Sequence, residues 1–185
     1  MLEQRIQQHF FESADLQYQA AEVMSRPVAE AVQAIVAGVT AGGRLLVGGR
    51  GVASGLARRL CAAMLEGFER ERPGLAALLL DGIDVDWSRQ VETLGQPGDL
   101  LLLIDADGDA PALVAAAEAA QGKDMTVIAL TGRSGGALRG VLGETDVLVA
   151  VPHDRRARVL EAQLLVLHCL CDSIDLQLLG EQDPA

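Results

Sequence analysis

Aromatic residues are scarce, at 3% of 185 residues, although half of the chain is apolar. The interior must therefore be built mostly from Leu, Val and Ala, which suits close helix–sheet and helix–helix packing. Positive charge is also short: 15 Lys and Arg stand against 26 Asp and Glu, a formal net charge of −11. That balance argues against binding nucleic acid through phosphate neutralisation, which needs clustered Lys and Arg. It leaves a basic patch on a protein partner as a plausible target. Cysteine is limited to Cys61, Cys169 and Cys171, an odd number without zinc spacing, so a reduced, cytoplasmic setting is expected. No apolar run reaches membrane-spanning length, and "MLEQRIQQHF" has no apolar signal core.

What is present is a regular alternation. An apolar stripe over 3–24 predicts a helix, carried by Leu2, Ile6, Phe10, Leu16, Ala20 and Val23. Pro27 predicts the start of a second helix to about Ala41, closed by Gly42-Gly43. Five apolar runs then read as strands, at 44–49, 75–81, 99–105, 125–132 and 146–152. Helices are expected at 52–67, 86–94, 111–122 and from about Arg155 to Leu179. The strands are continuous apolar runs, the mark of a parallel sheet covered on both faces. Strands alternating with helices give a doubly wound α/β fold, here a flavodoxin-like three-layer sandwich. The chain reads as one domain over 1–185: N-terminal helices at 1–41, an α/β core at 42–152, and a C-terminal helix and tail at 153–185. The last helix is apolar on nearly every face, which predicts that it is buried and that one face meets another subunit.

The stretch "LLVGGRGVASGLARRL" runs a strand into a glycine-rich turn and a helix, an arrangement that often holds a phosphate. Together with "FERERPGLAALLL", "PGDLLLLID", "TGRSGG", "DVLVAVPH" and "CLCDSID", it resembles the sugar isomerase (SIS) domain family. Within that family the chain resembles the phosphoheptose isomerases, and more closely the DnaA initiator-associating (DiaA) branch. The resemblance implies a five-stranded parallel sheet and N-terminal helices that help to form a homotetramer.

Carried over residue by residue, the resemblance implies a degenerate phosphosugar pocket. The first family loop, typically Cys-Gly-Asn-Gly followed by hydroxyl residues, falls on Gly48 to Ser54. Gly49 and Gly51 keep the turn, Arg50 stands at the Asn position, and Ser54 is the one hydroxyl left. Arg50 reads either as a phosphate partner or as a solvated loop residue. The second loop, typically Ser-Thr-x-Gly-Asn-Ser, falls on Asp105 to Ala110, where every hydroxyl is gone and three carboxylates, Asp105, Asp107 and Asp109, stand within five residues. At about 4 Å, each carboxylate beside a phosphate costs on the order of 4 kcal/mol. The carboxylate spacing resembles half of a calcium loop, but no Glu stands at its closing position. Capping of the helix from Pro111 is expected instead, with neither metal nor cofactor. Aligning Gly51 and Pro73 puts the family's acid/base Glu at Ala62 and a metal-linked His at Arg59. Aligning Pro152 and Glu161 puts the partner His at Gln163, so only Glu161 remains of that cluster. Ala and Gln do not titrate, and no catalytic residue is expected. Trp87 is expected to fill part of the emptied pocket or to pack its helix on the sheet. His168 reads as a core histidine and His153 as a loop residue.

The function expected from this reading is a non-catalytic homotetramer that binds the replication initiator DnaA and promotes chromosome replication. Leu178 and Leu179 are the expected partner-binding pair, or else the end of the core. The alternative is a phosphoheptose isomerase or a phosphosugar-binding protein with a degenerate site.

Overall fold

A computed structural model describes residues 1–81 and 87–181. The chain opens with α1 (Leu2–Thr40) and continues through β1 (Leu45–Gly49), a 3-10 turn (Gly51–Ala53) and α2 (Ser54–Glu66). Next come β2 (Ala77–Leu80), α3 (Trp87–Leu94), β3 (Leu100–Ile104) and α4 (Pro111–Gln121). The chain ends with β4 (Thr126–Thr131), α5 (Leu138–Val141), β5 (Val147–Ala150) and α6 (Arg156–Leu179).

The strands pair in parallel in the order β2-β1-β3-β4-β5. Val47 lies opposite Leu79 and Leu102, and Ile128 joins Leu102 to Val147. The period-2 alternation of each strand feeds two cores. Val47, Leu102, Ile104 and Ile128 enter the core that α1, α2 and α6 cover. Leu46, Leu101, Leu103 and Val127 enter the other, under α3, α4 and α5. This is the expected three-layer α/β architecture. From β1 the chain steps one way to β2 and then back across to β3. The carboxyl ends of β1 and β3 therefore flank the switch point where such sheets bind ligands.

Two helical expectations need correction. The helices expected at 3–24 and 27–41 are one continuous α1, with Pro27 inside it. Leu16, Ala20, Met24, Val28, Val32 and Ile35 keep one buried stripe through the proline. Packing of that stripe against α6 outweighs the lost backbone hydrogen bond. The four-residue α5 is too short to show as periodicity, and it was not expected. The first turns of α1 carry exposed apolar residues, Leu2, Ile6, Phe10 and Phe11. The inner faces of α6 are filled by α1, α2 and the sheet, while Leu165, Leu176 and Leu179 stay exposed.

Two of the motifs behind the family resemblance meet in space. Arg72, from "RERPG", forms a buried ion pair with Asp175, from "CLCDSID", at 2.5 Å. The same guanidinium donates to the carbonyls of Met64 and Ala63, at 2.8 and 3.1 Å, and so closes the end of α2. Arg70 donates to the carbonyl of Gly180 at 2.8 Å, just beyond α6.

Candidate functional site

At the switch point lies a cleft of about 690 Å³. Its walls are the turn after β1, the loop after β3 and the start of α6. Of the residues singled out in the sequence, Gly49, Arg50, Gly51, Ser54, Asp105 and Asp107 line it. Asp81, Trp87, Arg156 and Leu160 line it too. Of these, Arg156 and Asp81 carried no sequence signal.

The turn after β1 is tight. A Cβ on Gly49 would run into the carbonyl of Ala53, so glycine is required there. Gly51 turns with φ +59°, and Ser54 opens α2 at the rim of the cleft. Trp87 is buried, its ring against Gly48 at the floor. It both fills space beside the cleft and packs α3 on the sheet.

The three loop carboxylates do not form the free acidic patch that the sequence suggested. Asp105 is buried, and its Oδ2 accepts the backbone N–H groups of Asp107 and Gly108, at 3.0 and 2.6 Å. Asp107 holds Arg156, with Nη2–Oδ2 at 2.5 Å and Nε–Oδ1 at 3.3 Å. The hydrogen bond and charge of Asp107, helped by the charge of Asp105, push the Arg156 guanidinium above its ordinary pKa. Asp109 lies outside the cleft and accepts the backbone N–H of Ala137, at the start of α5, at 2.9 Å. Helix α4 is instead preceded by Ala110 with no side-chain cap, so the expected capping by Asp109 falls on a different helix. Arg50 approaches Asp105 at 3.9 Å and is otherwise exposed.

Glu161 and Gln163 are not cleft residues. Glu161 pairs with Arg158 and accepts from the hydroxyl of Ser13 on the α1 side. Gln163 is fully buried and donates its amide to the carbonyls of Asp105 and Leu130, at 3.0 and 3.1 Å. It thereby ties together the carboxyl ends of β3 and β4 beneath the cleft. Ala62, at the expected acid/base position, is exposed on α2 and does not line the cleft. His168 is half-buried rather than in the core: Arg59 contacts it at 3.3 Å, and its ring packs on Phe68. His153 is a loop residue, as expected, and accepts the backbone N–H of Arg155 ahead of α6. Leu178 packs on the core while Leu179 is exposed, so the two do not form one apolar pair. Among the described residues, no group of three His, Cys, Asp or Glu is placed to hold a metal ion. None of the described helices is long and apolar enough to cross a membrane.

Comparison with known proteins corrects the expected function. The SIS domain family model matches residues 8–132. A phosphoheptose isomerase from Methylibium petroleiphilum is 54% identical, covering 99% of this chain and 98% of that protein. One from Azoarcus sp. is 42% identical, covering 97% and 98%. The solved phosphoheptose isomerase of Francisella tularensis superposes with a TM-score of 0.88 at 35% identity, covering 95% of this chain and 98% of that one. That of Neisseria gonorrhoeae gives 0.87 at 33%, covering 95% and 99%. These near full-length relatives carry isomerase names, and nothing in them points to a scaffold for DnaA. The initiator-binding reading, with Leu178 and Leu179 as its contact, is therefore set aside. The chain belongs to the SIS domain family, on its phosphoheptose isomerase-like side.

Proposed function

We propose that this protein binds a phosphosugar, a phosphoheptose being the first candidate, in the cleft between the carboxyl ends of β1 and β3. The observation that carries the reading is the composition of that cleft in a chain so similar to phosphoheptose isomerases over its whole length. Arg50 and Arg156 supply fixed positive charge for a phosphate, and Ser54 supplies a hydroxyl at a helix start. Asp81 and Asp107 offer acceptors for sugar hydroxyls. Phosphorylated sugars are intracellular metabolites, and the three unpaired cysteines suit a cytoplasmic protein. The exposed apolar turns of α1 support self-association of the chain, with a tetramer as the expected assembly.

A second reading, isomerisation, is favoured by the names of the relatives. It requires a group that carries a proton between neighbouring carbons of the sugar. The family's acid/base positions fall on Ala62 and Gln163, which carry no titratable group, and the buried Asp105 carboxylate is held by backbone N–H groups. Binding without turnover is the reading we adopt. Nuclear magnetic resonance in D2O tests both at once with sedoheptulose 7-phosphate. Line broadening of the sugar without deuterium uptake next to its carbonyl is expected. Deuterium uptake would establish isomerase chemistry, and absence of broadening would remove the binding reading.

A further inference from the structure

We infer that Asp105 is the resident anion of the loop after β3, and that a ligand's phosphate therefore docks on Arg50 and Arg156 instead. This rests on the phosphosugar reading of the cleft. The loop offers two converging backbone donors, the N–H groups of Asp107 and Gly108. Both are taken by one oxygen of the Asp105 carboxylate, which is only 5% exposed. A phosphate entering that loop would have to displace a buried carboxylate from its donors and leave the charge unsolvated, which is strongly unfavourable.

The other two walls carry the cleft's cations. Arg50 comes from the turn after β1 and Arg156 from the first turn of α6. Their side chains are 56% and 75% exposed, so both guanidinium groups can reorient. Their present partners are the carboxylates of the third wall, Asp105 at 3.9 Å for Arg50 and Asp107 at 2.5 Å for Arg156. The Arg156–Asp107 pair is solvent-exposed and so contributes little to stability, and Arg50, 3.9 Å from the buried Asp105, is beyond hydrogen-bond reach of it. Exchanging these partners for a dianionic phosphate, which accepts paired guanidinium hydrogen bonds, is favourable. The phosphate then sits at the mouth between the two arginines. The sugar hydroxyls meet Asp107, whose carboxylate the exchange releases from Arg156. Asp105 is thus a specificity-determining residue: it sets which wall reads the phosphate.

The experiment is calorimetric titration of four full-length proteins with sedoheptulose 7-phosphate and, separately, with inorganic phosphate. The proteins are the wild type, Arg50→Gln/Arg156→Gln, Asp105→Ser and Asp105→Asn, each checked for an intact thermal transition. The arginine variant is expected to bind the phosphosugar at least 10-fold more weakly. Asp105→Ser is expected to bind inorganic phosphate at least 10-fold more tightly than the wild type, because its donors are freed. Asp105→Asn keeps an acceptor oxygen and controls for loop collapse; a smaller gain is expected. No gain in either Asp105 variant would overturn the inference, as would an arginine variant that binds the phosphosugar as the wild type does. A wild type that ignores the phosphosugar, beside an Asp105→Ser protein that gains phosphate, would refute the phosphosugar reading and the docking role of the arginines. It would leave Asp105 as the resident anion.

Discussion

Replacing Arg72 by methionine is expected to destabilise the fold by about 3–5 kcal/mol. Arg72 and Asp175 are 1% and 2% exposed, and the pair is 2.5 Å apart. Without Arg72, the Asp175 carboxylate is left as a buried charge, and its Oδ2 already lacks a partner. The carbonyls that Arg72 caps lose little, because each keeps a backbone donor. Met64 still receives the N–H of Leu75 at 2.9 Å, and Ala63 that of Gly67 at 3.0 Å. The orphaned carboxylate therefore dominates the cost. The reverse change, Asp175→Asn, leaves Arg72 its carbonyl acceptors on Met64, Ala63 and Pro73 and should cost only about 1–2 kcal/mol. The double variant should cost less than the sum by at least about 1 kcal/mol, since neither charge is then left alone. Urea unfolding followed by circular dichroism and by the single, buried Trp87 reads all three. In a chain of this size the Arg72→Met loss corresponds to a fall of roughly 10 °C in Tm. A loss below about 1 kcal/mol, or strict additivity in the double variant, would refute the reasoning.

Further expectations concern surfaces, the turn and the thiols. Leu178→Asp should cost about 2–3 kcal/mol because Leu178 packs on the core, whereas Leu179→Asp should change stability by less than about 0.5 kcal/mol; thermal melts separate them. Gly49→Ala should lose about 1–3 kcal/mol and weaken phosphosugar binding, since the turn after β1 must open to admit the methyl group. Burial pushes the Cys61 and Cys171 thiols up to about 11, so both should resist a thiol reagent at pH 8 until the protein is unfolded. Because the folded pKa values lie above the unfolded ones, the stability contributed is full below about pH 9 and lost as the pH rises towards 11. A Cys61→Ala/Cys171→Ala protein should show a flatter decline of Tm over that window. Ile6→Asp/Phe10→Asp should lower the mass measured by light scattering if α1 mediates self-association.

The sheet was legible because each strand is a short, unbroken Leu- or Val-rich run, as in "DLLLLID", between glycine or acidic punctuation. Pro27 was read as a boundary because local signals treat proline as a breaker; only the stripe of Met24 and Val28 packed across it keeps α1 whole. The loop carboxylates were legible as charges, but their partners were not. Arg156 lies 49 residues from Asp107, and Ala137 lies 28 residues from Asp109. No periodicity reports such pairings. Glu161 and Gln163 are two residues apart in sequence, yet they face α1 and the strand ends respectively. Lifting both into one pocket by alignment missed the rotation of about 100° per residue along a helix.

The most direct test of the account is a titration of the wild-type protein with sedoheptulose 7-phosphate beside unphosphorylated sedoheptulose, at low and high salt. Saturable binding of the phosphorylated sugar alone, weakened by salt, is the result expected of a cleft that reads phosphate through Arg50 and Arg156. Equal binding of both sugars, or of neither, would contradict it.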